Sequence, residues 1–160
     1  LGPVVAFQVG PVNFSGGWGW VSGYHYSSST IIGFAHTHLS GTGIGDLGDI
    51  LVMPATGEII TGKGTIKNLQ AGNTSLFSHK EEVARPGYYS VRLQRYDIKA
   101  ELTASTRVGF HRYTFPASAS AHIEIDLAQG IGWDRPVSTY IKKVNDSTLA
   151  GYLFSKGLAK

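Results

Sequence analysis

The chain has 160 residues, 42% of them hydrophobic, no cysteine, a formal net charge of +3 and a pI of about 9.2. This composition predicts one folded domain and excludes disulfides and cysteine-based zinc sites. Lysine and arginine are interspersed with acidic residues and form no basic stripe, and no apolar run approaches the ~20 residues of a membrane-spanning helix, so neither a nucleic-acid partner nor membrane contact is predicted.

The first 45 residues form a distinct stretch, because they contain no aspartate, glutamate, lysine or arginine. They hold seven aromatic residues, three of the six histidines and about half of the glycines. Such a segment is typical of neither a helix nor a solvated linker. We expect it to be packed or to face an uncharged ligand. Strands are predicted within this stretch at Val4–Val9 and Ile31–His36, and just after it at Ile50–Met53.

A possible capping box at Ser78–Glu81 leaves room for only a short helix, because Pro86 follows closely. From Gly87 onward, apolar and polar residues alternate, which predicts antiparallel strands with one buried and one exposed face. The apolar positions of these strands are Tyr89, Val91, Leu93, Ile98, Ala100, Leu102, Val108, Phe110, Ala121, Ile123, Ile125 and Leu127.

Two last strands are predicted at Val137–Val144 and Leu149–Phe154, separated by a turn at 145–147. Many short strands with frequent turns predict an all-β fold, an antiparallel β-sandwich or barrel. Residues 1–160 are interpreted as one β domain, and the strand close to the end of the chain suggests a fragment of a larger unit.

Metal binding is one chemistry that the stretch from Trp18 to Asp49 could support. On a strand, His36 and His38 would place both imidazoles on one face, and Asp46 and Asp49 could complete a metal site. The spacing alone does not fix the remaining ligands.

Catalysis by this chain is a second interpretation of the same stretch. Asp46 and Asp49 could form a carboxylate pair of the kind used in glycoside hydrolysis, or Ser40 could act as a nucleophile beside His38. Aspartates in a Gly-Asp-Leu-Gly-Asp run are more often turn formers, and no acid that would orient a Ser–His pair is identifiable.

Carbohydrate recognition is the third interpretation. Trp18 and Trp20 offer flat aromatic faces, and the neighbouring serines, threonines and histidines offer neutral hydrogen-bonding groups. An uncharged surface suits a neutral ligand, because a charged group would lose hydration without meeting a countercharge. The alternative is that several of these aromatic residues, Trp18 and Trp20 included, fill the core.

A resemblance to a known family favours the third interpretation. The run Ser22–Tyr26 and the run Gly33-Phe34-Ala35-His36-Thr37-His38-Leu39-Ser40-Gly41-Thr42-Gly43, continued by Gly45–Pro54, resemble the N-terminal domain of glycoside hydrolase family 92, a family of exo-acting α-mannosidases. The resemblance extends through Phe77–Lys80, Pro86–Val91, Ile98–Thr103, Arg107–Tyr113 and Ile125–Leu127. Val21 stands where the family often has cysteine, and 1–10 matches the opening strand only loosely.

The resemblance implies a supersandwich-type β-sandwich that packs on an (α/α)6 barrel, here an incomplete N-terminal domain. It implies an inverting, Ca2+-dependent enzyme whose Ca2+ ligands, general acid Glu and general base Asp all belong to the barrel. This chain would then supply no catalytic residue and no metal ligand. Its expected substrate-binding residues are Trp18 or Trp20 as a platform near the leaving-group sugar, with His36, His38 and Asp46 on the pocket wall.

The expected whole enzyme is a secreted or periplasmic α-mannosidase that trims terminal mannose, with α-1,2 linkages foremost, from N-glycans or mannans. Its expected partners are a mannose-containing glycan and the barrel of the same polypeptide. The alternatives are a free-standing carbohydrate-binding module and a purely structural domain.

Overall fold

A computed structural model describes residues 9–12, 26–36, 50–65, 67–128 and 135–156. Within these ranges the chain forms fourteen β-strands and one 3-10 helix, His79–Glu81. The strands are β1 (Val9–Val12), β2 (Thr30–Ile31), β3 (Gly33–His36), β4 (Leu51–Ala55), β5 (Lys63–Thr65), β6 (Asn68–Gly72), β7 (Ser75–Leu76), β8 (Val83–Arg85), β9 (Tyr88–Leu93), β10 (Ile98–Ala104), β11 (Gly109–Thr114), β12 (His122–Asp126), β13 (Arg135–Asn145) and β14 (Thr148–Lys156). None of the described helical structure is long and apolar enough to cross a bilayer.

Two antiparallel four-stranded sheets make up most of the fold. Sheet A has the strand order β1-β3-β4-β12, and sheet B has the order β11-β10-β9-β8. Three two-stranded sheets accompany them: β2 with β7, β5 with β6, and β13 with β14. The all-β, antiparallel sandwich predicted from the sequence is confirmed.

The main core joins the two sheets. Sheet A contributes Phe34, Met53 and Ala55, and sheet B contributes Val91, Leu93, Ile98, Ala100 and Leu102, all at most 2% exposed. Burying one side chain of this size stabilises the fold by ~1.5–3 kcal/mol. The predicted inward-facing positions of β9 and β10 are therefore confirmed.

The prediction for β11 has the wrong phase. Val108 and Phe110 were expected inside, but they are 47% and 55% exposed, whereas His111 and Tyr113 are the half-buried residues of this strand. The register explains the difference, because His111 lies opposite the buried Leu102 and therefore shares its face. A histidine and a tyrosine thus take the inward positions.

The phase of β12 is also inverted. Ile123 and Ile125 are 52% and 39% exposed, whereas Glu124 lies opposite the buried Met53 and accepts a hydrogen bond from the Asn73 side chain. The carboxylate is part-buried, with its side chain 20% exposed, and it can take this inward position because polar groups are tolerated there when they are hydrogen-bonded.

The last two strands form a hairpin, as predicted, but longer than expected. β13 and β14 pair over most of their length, and the turn contains only Asp146 and Ser147. The side chain of Asn145 accepts a hydrogen bond from the backbone N–H of Ser147 at 2.9 Å, which is typical of a turn stabilised by asparagine.

The short helix and the early strands also follow the predictions. Ser78 caps the 3-10 helix by accepting a hydrogen bond from the backbone N–H of Lys80 at 3.3 Å. The two strands predicted within 31–36 and 50–53 are found as β3 and β4, with β2 as a separate short strand. The first predicted strand, 4–9, overlaps β1 at Val9 only, and its other residues lie outside the described part. The strands β5 to β8 were not predicted.

Candidate functional site

The candidate site lies where β3 ends and β4 begins. These strands pair antiparallel, with Ala35 opposite Leu51. Just beyond that pair, the Nδ1 atom of His36 lies 3.0 Å from the carbonyl oxygen of Ile50. A carbonyl can only accept, so His36 carries a proton on Nδ1. The two ends of segment 37–49 are therefore joined at this point.

Backbone geometry at the two strands is specific to the residues present. Gly33 has a φ of 152°, and a Cβ there would lie 2.6 Å from Cγ of Leu51, so glycine allows the strands to approach. Ile50 has a φ of 55° in the left-handed region, which costs a β-branched residue ~1–3 kcal/mol. Its carbonyl is the one that accepts from His36. Strain of this kind is common at functional sites.

Sheet B supports His36 from the side. The ring of His36 stacks on His111 of β11 with centroids 4.7 Å apart and an interplanar angle of 13°. Nδ1 of His111 is hydrogen-bonded to the Tyr113 hydroxyl at 2.5 Å, and Phe34 meets His111 edge-on with centroids 6.3 Å apart. The His36 ring is therefore held by its own hydrogen bond and by an aromatic stack from the facing sheet.

Burial keeps His111 neutral. Burial first, and then repulsion from the neighbouring His36 imidazole, together lower the pKa of His111 to about 4. Burial also raises the pKa of the Tyr113 phenol far above its ordinary value. Nε2 of His111 is buried and has no hydrogen-bond partner among the described residues. The ring of His36 thus packs against a neutral surface, which suits contact with a neutral ligand.

An ion pair fixes the strand that carries His111. Arg112, on the opposite face, donates two hydrogen bonds of 2.8 and 2.7 Å to Glu101 of β10, and the Tyr88 hydroxyl donates a third at 2.7 Å. These hydrogen bonds, Arg112 first, lower the pKa of Glu101 to about 2. Glu101 lies directly opposite Arg112 in the ladder, so the pair holds the register that turns His111 inward.

Of the predicted substrate-binding residues, His36 lies in the described part of the chain. Trp18, Trp20, His38 and Asp46 lie outside it and stay predictions. Among the described residues, no three His, Asp or Glu side chains lie close enough together to hold a metal ion. His111 and Tyr113 were missed as members of the site. The one available signal was the Arg107–Tyr113 run, and its alternation favoured the opposite face.

Comparisons with known proteins agree with this description. The Glycosyl hydrolase family 92 N-terminal domain matches residues 3–160. A family GH92 α-mannosidase from Bacteroides thetaiotaomicron, solved in complex with mannoimidazole and in a second structure, is 42% identical with a TM-score of 0.90. The match covers 97% of this chain and 20% of that enzyme in the complex, and 97% and 21% in the other structure. No curated protein sequence matches.

A second enzyme gives a weaker match. An inverting family GH92 mannosidase from Bacteroides thetaiotaomicron VPI-5482 is 29% identical with a TM-score of 0.58, over 78% of this chain and 16% of its own. The fold and these matches define a β-sandwich domain of glycoside hydrolases. The chain belongs to the glycoside hydrolase family 92 N-terminal domain family. It spans about a fifth of the length of the solved relatives it matches.

Proposed function

We propose that this chain is the substrate-positioning N-terminal domain of a Ca2+-dependent, inverting exo-α-mannosidase. The enzyme would remove terminal α-linked mannose, with α-1,2 as the main linkage, from N-glycans or mannans. The observation that carries the proposal is the 42% identity, over 97% of the chain, to an α-mannosidase solved with mannoimidazole. A glycan substrate of this kind favours a secreted or periplasmic location.

The proposed division of labour follows from the chemistry of inversion. One carboxylic acid protonates the leaving oxygen, and a carboxylate on the other side of the sugar activates water. Both are proposed to lie in an (α/α)6 barrel of the same polypeptide, together with the Ca2+ ligands. This chain would orient the mannoside and exclude water through Trp18 or Trp20, His36, His38 and Asp46, since correct positioning removes much of the entropic barrier.

The described surface supports a role within a larger polypeptide. Ile123 and Ile125 expose the outer face of β12, and both strands of the hairpin expose large apolar side chains. Those of the hairpin are Val137, Tyr140, Ile141, Val144, Leu149, Tyr152 and Phe154, which are 46–65% exposed. Exposed large apolar side chains in this number usually contact other protein.

A direct experiment is hydrolysis of an aryl α-mannoside by the complete enzyme and by the 160-residue chain, both with Ca2+. We expect turnover with inversion by the complete enzyme and none by the chain alone. Turnover by the isolated chain, or its absence in the complete enzyme, would contradict the proposal. Calorimetric titration of the isolated chain with α-1,2-mannobiose separates the alternative, because a free-standing binding module would bind measurably and this domain should not.

The tryptophan platform has its own test in the complete enzyme. We expect Trp18→Ala or Trp20→Ala to raise KM for an α-1,2-linked mannobiose ~3- to 10-fold, the loss of about one aromatic contact. Unchanged kcat/KM in both correctly folded variants would assign these side chains a structural role and remove them from the pocket.

A further inference from the structure

Two residues that the proposed pocket does not use form a stacked pair on the surface. Tyr26 ends the Ser22–Tyr26 run, and His79 belongs to the separate Phe77–Lys80 run. Their ring centroids are 4.1 Å apart and their planes differ by 16°. Tyr26 is nevertheless 69% exposed. With one face on His79 and this much exposure, its other face must be open to solvent.

The support beneath the Tyr26 ring extends into the core. Nδ1 of His79 lies 2.5 Å from a carboxylate oxygen of Glu82, and Phe77, 8% exposed, meets the His79 ring edge-on at 5.1 Å. The side chain of Glu82 is only 4% exposed, and its other oxygen accepts a hydrogen bond from the buried Tyr89 hydroxyl at 2.8 Å. A buried carboxylate thus orients the ring on which Tyr26 rests.

The backbone around Tyr26 is fixed to the same support. The carbonyl oxygen of Ser29 accepts a hydrogen bond from the backbone N–H of Phe77 at 3.0 Å, which ties the segment after Tyr26 to the residue before the capped helix. An exposed aromatic side chain usually loses rotamer freedom on binding. Here His79 and the backbone tie have already restricted the ring, so a ligand would bind to a preorganised surface.

The chemistry around the ring favours a neutral sugar. Tyr26 lies in the stretch of 45 residues without formal charge, and three serines and a threonine follow it directly. A single exposed flat ring suits a pyranose, whose C–H face is apolar, and the exposed serines Ser27 and Ser29 that follow it in sequence offer neutral hydrogen-bonding groups. Protein docking generally requires a larger contiguous apolar patch.

We propose that Tyr26, stacked on His79, is a platform for a pyranose of the glycan chain beyond the mannose that is cleaved. The class of ligand rests on the proposed function. The contact is additional to the tryptophan platform, and its ligand is the chain of the substrate, so it affects long glycans and leaves small glycosides unaffected.

The test uses the complete enzyme with a soluble α-mannan and an aryl α-mannoside. Tyr26→Ala should raise KM for the mannan ~3- to 10-fold, as expected for the loss of one aromatic contact, with unchanged kcat and unchanged aryl-mannoside kinetics. Tyr26→Phe and Tyr26→Trp should keep the wild-type KM. Phe110→Ala is the matched control, because Phe110 is also an exposed aromatic residue (55% exposed) but lies on the solvent side of β11.

An unchanged mannan KM in Tyr26→Ala, or a Tyr26→Phe variant as weak as Tyr26→Ala, would overturn the platform and leave the proposed function intact. If the enzyme cleaves neither substrate, the proposed function fails and retention on immobilised α-mannan decides the inference. Retention of the wild type and loss in Tyr26→Ala would support the platform, and equal behaviour of the two proteins would overturn it.

Discussion

The buried imidazole of His111 should make the stability of this domain depend on pH in a predictable window. Its pKa is about 4 in the folded chain, against 6.5 for an unperturbed histidine. As the pH falls below about 6.5, His111 therefore binds a proton in the unfolded chain, whereas in the folded chain it stays neutral until about pH 4. Folding stability is fully present above that window, falls within it and levels off below it.

The expected magnitude follows from these two pKa values. Between about pH 7.5 and pH 5 they correspond to a loss of ~2 kcal/mol in the free energy of unfolding. Because His111 is only half-buried, solvent screening reduces this to about 1 kcal/mol. Urea unfolding at several pH values measures how much more strongly the unfolding free energy of the wild type depends on pH than that of His111→Phe. Phenylalanine keeps a ring beside His36 but does not titrate.

A control on the same strand isolates the effect of burial. Phe110 is 55% exposed, so Phe110→His adds a histidine to β11 on the solvent side, and the pH dependence of unfolding should match that of the wild type. Equal pH slopes for the wild type and His111→Phe would refute the reasoning, because the charge-excluding environment of His111 would then contribute nothing.

Two further predictions concern the framework of the site. Gly33→Ala should lower the free energy of unfolding in urea by ~1–3 kcal/mol, because the new Cβ would lie 2.6 Å from Leu51 and the φ of 152° disfavours a side chain. Gly57→Ala is the control, because it also places a side chain at positive φ but nothing lies within 4 Å of its Cβ. Equal losses of unfolding free energy in the two variants would show that the contact with Leu51 is unimportant. Glu101 has a pKa of about 2 in the folded chain against 4.5 ordinarily, so its contribution to folding stability should be complete above about pH 4.5 and be lost toward pH 2. Glu101→Gln should therefore weaken the dependence of the unfolding free energy on pH in that range. An unchanged pH dependence would contradict the stabilising role of Glu101.

The sequence predicted the elements of the sandwich wherever local patterns decide them. The alternation at Ile98–Leu102 corresponds to buried positions, and the hairpin around Asp146 has a turn made by a local asparagine contact. Strands as short as Ser75–Leu76 were missed, because two residues carry no periodicity. Their pairing is decided by distant strands instead.

The faces of β11 and β12 could not be predicted from hydrophobicity. Alternation gives two equivalent phases, and a one-residue shift exchanges the faces. What decides between them is the partner strand: Leu102 opposite His111, and Met53 opposite Glu124. A polar residue such as Glu124 can face inward when a hydrogen-bond partner lies within reach. Its partner Asn73 is 51 residues away in sequence, so the pairing cannot be read from the local pattern.

The same argument explains why the family resemblance pointed to His36, whereas the residue patterns did not predict its contact with His111. His36 was identified because it lies inside a long motif, and motifs are contiguous in sequence. His111 lies 75 residues later, and its role depends on two sheets meeting so that two imidazoles stack at 4.7 Å. Burial of the His111 ring then lowers its pKa and keeps that ring neutral. His36, which belongs to the stretch without formal charge, therefore stacks on a histidine of β11 that burial keeps neutral.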